Sequence, residues 1–218
     1  MNFNLPTEQE CLDLFKKYVV PENIVHHCLK VQQVSVFMGQ KLKEQGKLLE
    51  LKSINLDFVS RLALCHDMFK MAALNDITPN KYHQRVFNEQ EVAMWKYLRE
   101  KYPQMYEGDV GYEIFKDTYP EFALSLKRVS SPWIDNPTWE EIIVHYCDWR
   151  VFQEKVVSLV ERMAYLREYY SRNQIVWNEY EVRCKAQEEK IFFHLDFKPD
   201  DLSIVLENEV KAGKLNYD

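Results

Sequence analysis

Between residues 22 and 46 the apolar side chains return every three or four positions. Ile24, Cys28, Val31, Met38 and Leu42 form one stripe, with the small Ser35 among them. A helix turns about 100° per residue, so this spacing describes an amphipathic helix and excludes a strand. The pattern recurs along the chain. Thr7 and Glu10 form a capping box that opens a first helix, carried to about Val20. Pro21 suits the first turn of the second helix, which stops near Gly46. Further helices are predicted over 55–73, through 81–102 before Pro103, over 120–129, from a second capping box at Thr138 and Glu141 to about Asn173, and over 175–193. Pro199 and the two aspartates after it signal a last helix start. Residues 104–118, with two glycines, read as turns. Only five glycines occur in 218 residues and no alternating strand pattern is present, so the predicted fold is all-α, a helical bundle.

The formal net charge of −6 argues against a general nucleic-acid surface. Cys11, Cys28, Cys65, Cys147 and Cys184 are odd in number, lack any C-x-x-C pair and fall in apolar patterns, as free core thiols do. No apolar run reaches the roughly 20 residues of a membrane span, and the N-terminus does not read as a signal peptide. A cytoplasmic protein is expected.

Histidines and aspartates interrupt this apolar patterning. His27 lies within roughly 60° of the centre of its helix's stripe, whereas His26 points to the opposite side. In "LALCHDMFK" His66 falls inside the stripe of Phe58, Val59, Leu62, Cys65 and Phe69. Asp67 lies about 100° further round, and Lys70 lies between them one turn on. Asp148 sits roughly 120° from the stripe of the helix that contains it. Any one of these, taken alone, is explained by a buried polar group with a satisfied partner. Together His27, His66, Asp67 and Asp148 form a set of two nitrogens and two carboxylates. Such a set suits a first-row divalent ion with positions open to water.

The order and context of these residues resemble the HD-domain superfamily of metal-dependent phosphohydrolases. "VPENIVHHCLKVQQVSVFMG" is similar to that family's first motif, with the ligand at His27. "LALCHDMFK" is similar to its run into His-Asp, including the lysine three residues later. "EEIIVHYCDWR" is similar to its closing motif, ending on Asp148. The resemblance covers about residues 5–155 and implies a core of that type over this span. A helical extension over 156–213 and a tail over 214–218 follow.

The resemblance also implies one divalent ion (Mn, Co, Ni, Fe, Mg or Zn) held by His27, His66, Asp67 and Asp148. A single ion is expected because Lys127 and Arg128 stand where two-metal members carry a further histidine. Asp67 and Lys70 are the implied catalytic pair. Lys70, His83, Lys127 and Arg128 are the candidates for gripping a small phosphorylated substrate such as a nucleotide. His145 and His194 are expected to pack, and Trp133, Trp139 and Trp149 to serve the core or to stack on a base. The competing expectation is a catalytically inactive module of the same fold that senses a nucleotide or binds a protein. A homodimer through the C-terminal helices fits either reading.

Overall fold

The computed structural model describes residues 4–81, 84–131, 134–170 and 172–213. Twelve helices and one small hairpin are found among them. They are α1 (Glu8–Lys17), α2 (Glu22–Gln45), α3 (Leu49–Lys52), α4 (Leu56–Cys65), α5 (Lys70–Ala73), α6 (Glu89–Lys101), α7 (Glu107–Phe115), α8 (Pro120–Val129), α9 (Trp139–Arg150), the strands β1 (Val151–Phe152) and β2 (Lys155–Val156), α10 (Leu159–Tyr169), α11 (Gln174–Phe192) and α12 (Leu202–Lys211), the last entered by a 3₁₀ turn at Pro199–Asp201. The fold is all-α.

The centre of the molecule is α2 with α4 and α9 packed on it and on each other. Val31, Met38 and Leu42 of α2, Val59 and Leu62 of α4, and Ile143, Val144 and Tyr146 of α9 are wholly buried between them. The α7–α8 pair closes one side, and α10 and α11 lie along α9. Leu159, Cys184, Ile191, Leu202 and Leu206 join the same buried cluster, so the C-terminal helices share the core of the others. All five cysteines are buried free thiols. Among the described residues no helix is long and apolar enough to cross a membrane.

Thr7 and Thr138 cap α1 and α9 through reciprocal bonds with Glu10 and Glu141, as the sequence predicts. Four expectations need correction. First, the helix predicted over 55–73 ends at Cys65. His66–Phe69 form a turn, and α5 restarts at Lys70. The turn is held by the Ser130 hydroxyl at the end of α8, which donates to the His66 carbonyl at 3.3 Å.

Second, residues 104–118 contain the helix α7, with both glycines inside it. They permit close approach to α8: a Cβ at Gly108 would meet Ser130 Cβ at 2.6 Å, and one at Gly111 would meet Leu126 Cδ2 at 2.6 Å. Third, α6 begins only at Glu89, because Asn88 caps it and pairs with Glu91 in a box of its own. Fourth, the helix predicted from 138 to 173 stops at Arg150. Val151–Val156 then turn back as an antiparallel hairpin, and Ser158 with Glu161 caps a new helix. Arg150 anchors that corner from inside the core, donating to the carbonyls of Val157 at 2.6 Å and Pro199 at 2.8 Å and pairing with Glu188 at 3.1 Å.

Candidate metal centre

The corner after α9 and the turn after α4 bring the histidines and aspartates together. His27 projects from the second turn of α2, His66 caps the end of α4, and Asp148 comes from the last turn of α9. Their ligand atoms all lie within 4.8 Å of one another. His27 Nε2 is 3.0 Å and His66 Nε2 is 3.5 Å from the same oxygen, Asp148 Oδ1. The two imidazoles are inclined at 56° with centroids 5.3 Å apart. His26 points away to the surface and meets Glu154 at 3.2 Å, as the helical geometry predicts.

The far side of each ring decides what the near side can do. His27 Nδ1 meets the backbone carbonyl of Gln153 at 3.2 Å, and His66 Nδ1 meets that of Ala63 at 2.7 Å. A carbonyl only accepts, so both Nδ1 atoms bear the proton and donate it. Each neutral ring therefore turns an Nε2 lone pair toward a carboxylate oxygen. His66 Nε2 is buried and makes no hydrogen bond. Lone pairs converging on an anionic oxygen repel unless a proton or a metal cation sits between them. Carbonyls that fix the tautomer from behind are the usual support of metal-binding histidines. Two imidazole nitrogens with a carboxylate oxygen also make a suitable donor set for a first-row divalent ion, so the residues fit such an ion.

The local field runs the same way. Burial disfavours the charge on Asp148, but the adjacent His27 and His66 rings hold its carboxyl well below the usual range. Burial works against an imidazolium at His66, yet Asp67, Asp148 and Cys28 together raise its pKa well above the ordinary value. The pocket thus favours positive charge at its centre.

Asp67 stands beside this trio. Its Oδ2 is 4.0 Å from His27 Nε2, while its Oδ1 is 3.3 Å from Lys70 Nζ. Burial pushes its pKa up, and Lys70 and His66 more than reverse this. Lys70 also meets Glu107 Oε1 at 2.8 Å. Burial opposes its charge, but Asp67 and Glu107 outweigh that and hold the ammonium well above the usual lysine range. Asp148, Asp67 and His27 keep 30%, 17% and 13% of their side-chain surface, so solvent reaches the cluster from one side.

Two contributors escaped the sequence reading. Glu107 fell in the stretch read as turns, although an acidic residue entering a glycine-bearing helix is a detectable signal. Gln153 acts through its carbonyl, which no side-chain motif reports. It holds a left-handed backbone (φ 56°) at the hairpin turn, a conformation uncommon for a residue with a side chain.

The other candidates separate. Lys127 meets Asp109 at 3.0 Å. Arg128 clamps Glu141 with contacts of 2.8 and 3.1 Å and holds the carbonyls of Asp135 and Asn136 at 2.9 and 3.2 Å. Glu141 is almost wholly buried, so Arg128 serves to neutralise it and fix the loop before α9. His83 and Trp133 lie outside the described residues. His145 is buried, with Nδ1 on Gln187 at 2.9 Å and its pKa lowered by burial. His194 meets Trp139 edge to face. Trp139 is itself buried and Trp149 packs on Tyr180, so both serve packing.

No family model, curated protein or solved structure matches the chain.

Proposed function

We propose that this chain is a metal-dependent phosphohydrolase of the HD-domain type, acting on a nucleotide or another small phosphorylated metabolite. The observation that carries the reading is the convergence of two Nε2 lone pairs, each fixed by a backbone carbonyl, on Asp148 Oδ1. His27, His66 and Asp148 would hold one divalent ion, with Asp67 as the adjoining carboxylate. Such an ion, when bound, makes hydroxide accessible near neutral pH and polarises a phosphoryl oxygen.

The remaining chemistry belongs to the chain. Gln153 and Ala63 keep both rings in the ligand tautomer. Asp67 stays ionised, because Lys70 and His66 outweigh its burial, and accepts a hydrogen bond from the attacking water. That water releases one proton to solvent and forms a new P–O bond as the ester P–O bond breaks, and the alcohol leaves with a proton from solvent. Lys70 holds Asp67 in place. A cytoplasmic location fits the five buried thiols.

A binding module without turnover is the second reading. One observation favours it: Lys70 is already paired with two carboxylates, which offset its charge before any phosphate arrives. Phosphate release decides between them. Metal-stripped protein is offered mono-, di-, tri- and cyclic nucleotides with Mn, Co, Ni, Fe, Mg or Zn restored singly, beside an Asp67→Ala control. Turnover that needs the metal and is lost in the control supports the enzyme. Metal retained at one per chain with no turnover on any substrate supports the module.

A further inference from the structure

The candidate site has a second wall, built by the hairpin and α10. Gln153, whose carbonyl holds His27, directly follows Phe152 on β1. The Tyr165 ring lies 4.4 Å from that of Phe152, centroid to centroid. Arg162 sits over both, 5.8 Å from the Phe152 centroid and 5.4 Å from the Tyr165 centroid. Tyr165 and Tyr170 both feel the charge of Lys70, and Tyr170 also that of Asp67. Tyr165 and Tyr170 therefore lie within electrostatic reach of Lys70.

Arg162 is half-buried, and its Nε is buried without a hydrogen-bond partner. Among the described residues no carboxylate meets its guanidinium. Arg85 and Arg167 also bury an unbonded Nε, but each pairs with acidic side chains. A charged donor left unpaired in such a position is costly. A guanidinium placed near ring faces and without an acidic partner keeps its fork of N–H groups available to an oxyanion.

Charge balance shows what is missing. Asp67, Asp148 and Glu107 bring three negative charges to the centre and Lys70 brings one positive. A divalent ion on neutral imidazoles would bring the sum to zero. A phosphoryl group arriving with up to two negative charges would then meet no net positive field from these groups. Lys70 already pairs with two of these carboxylates. Arg162 is the adjacent cation without an acidic partner.

We propose that Arg162 is the phosphate-binding residue of this site, gripping the non-bridging oxygens of the substrate's phosphoryl group from the wall formed by Phe152, Tyr165 and Tyr170. It replaces Lys70 in the role expected from sequence. The proposal rests on the phosphohydrolase reading for its substrate class, but its test does not require turnover.

The test is titration of inorganic phosphate into the metal-loaded full chain by calorimetry. Wild type is compared with Arg162→Gln, Arg162→Lys and, as a control at an exposed position of α11, Lys185→Gln. Arg162→Gln is expected to weaken phosphate binding about 10- to 100-fold, the usual weight of a charge-assisted fork, with metal stoichiometry unchanged. Arg162→Lys should recover part of the loss, and Lys185→Gln should match wild type. In wild-type protein, phosphate should also shield Arg162 from an arginine-specific dicarbonyl reagent, read by peptide mass, which needs no variant to fold.

Unchanged phosphate affinity in Arg162→Gln, no phosphate binding by wild type, or labelling of Arg162 indifferent to phosphate would each overturn the proposal. Phosphate binding that depends on Arg162 in a chain that hydrolyses nothing would uphold it while removing the enzyme reading. Hydrolysis with KM unchanged in Arg162→Gln would do the reverse.

Discussion

Replacing Arg128 by alanine tests whether the basic pair at the end of α8 grips substrate or holds the fold. The guanidinium makes two contacts with Glu141, at 2.8 and 3.1 Å, and Glu141 keeps only 2% of its surface. Removing the cation leaves a buried carboxylate whose remaining help is its capping bond from the Thr138 amide at 2.9 Å. Breaking a fully buried pair costs about 3–5 kcal/mol. Arg128 keeps 32% of its side-chain surface, so water can reach part of the gap. A loss of about 2–4 kcal/mol is expected after discounting for that access. In a domain of this size this lowers Tm by roughly 4–16 °C.

The assay is urea or thermal unfolding of Arg128→Ala, Glu141→Gln and the double variant. The double should cost less than the sum of the singles, with a coupling of about 1–3 kcal/mol. The KM for any phosphate substrate should change little. An unaltered unfolding midpoint together with a raised KM would refute this reasoning and restore Arg128 to the substrate site.

Other outcomes follow from the same contacts. In the metal-free protein His66 is raised above its ordinary value of 6.5, so its contribution to stability is full below about pH 6.5 and is lost as pH rises through the folded value. Asp148 is lowered below 3.8, so its contribution holds above that pH and is lost as pH falls through the folded value. Thermal melts of stripped protein should therefore weaken toward alkaline pH, and Asp148→Asn should flatten that limb. Gly108→Ala would press a methyl group against Ser130 Cβ at 2.6 Å and Lys127 O at 3.0 Å. The overpacking outweighs the gain in helix propensity, for a net loss of about 1–2 kcal/mol in unfolding experiments. Lys70→Met would leave Glu107, whose Oε2 already lacks a partner, wholly unpaired. A loss of about 2–3 kcal/mol is expected, largely recovered in the double variant with Glu107→Gln.

Much of the fold was legible wherever the local signals agreed. The stripe of α2, the capping boxes at Thr7 and Thr138, and the segment Pro120–Val129 all stand as read from sequence. The failures arose where tertiary contacts overrode a continuous apolar pattern. Nothing in "LALCHDMFK" announces that the helix ends at Cys65, because the end is held by Ser130 from a distant helix. The break after Arg150 had a local sign in Ser158 and Glu161, a capping box hidden inside a helical pattern. In α7 the glycines served helix packing instead of turns, a distinction that only the partner α8 makes.

At the site, His27, His66 and Asp148 were legible because helical periodicity faced both histidines inward and the motif order pointed to the aspartate. Glu107 and the Gln153 carbonyl were not, because their relevance depends on which helices meet. Nor does the sequence announce the ion pairs of Lys127 and Arg128, whose acidic partners Asp109 and Glu141 lie 18 and 13 residues away.

The central claim is that His27, His66 and Asp148 form one metal site. The most direct test is metal content after reconstitution and desalting, read by elemental analysis on wild type and on His27→Ala, His66→Ala and Asp148→Asn, with folding checked by circular dichroism. The account predicts one divalent ion per folded wild-type chain and its loss in each variant. A folded wild type that retains no ion, or variants that retain it undiminished, would contradict the account.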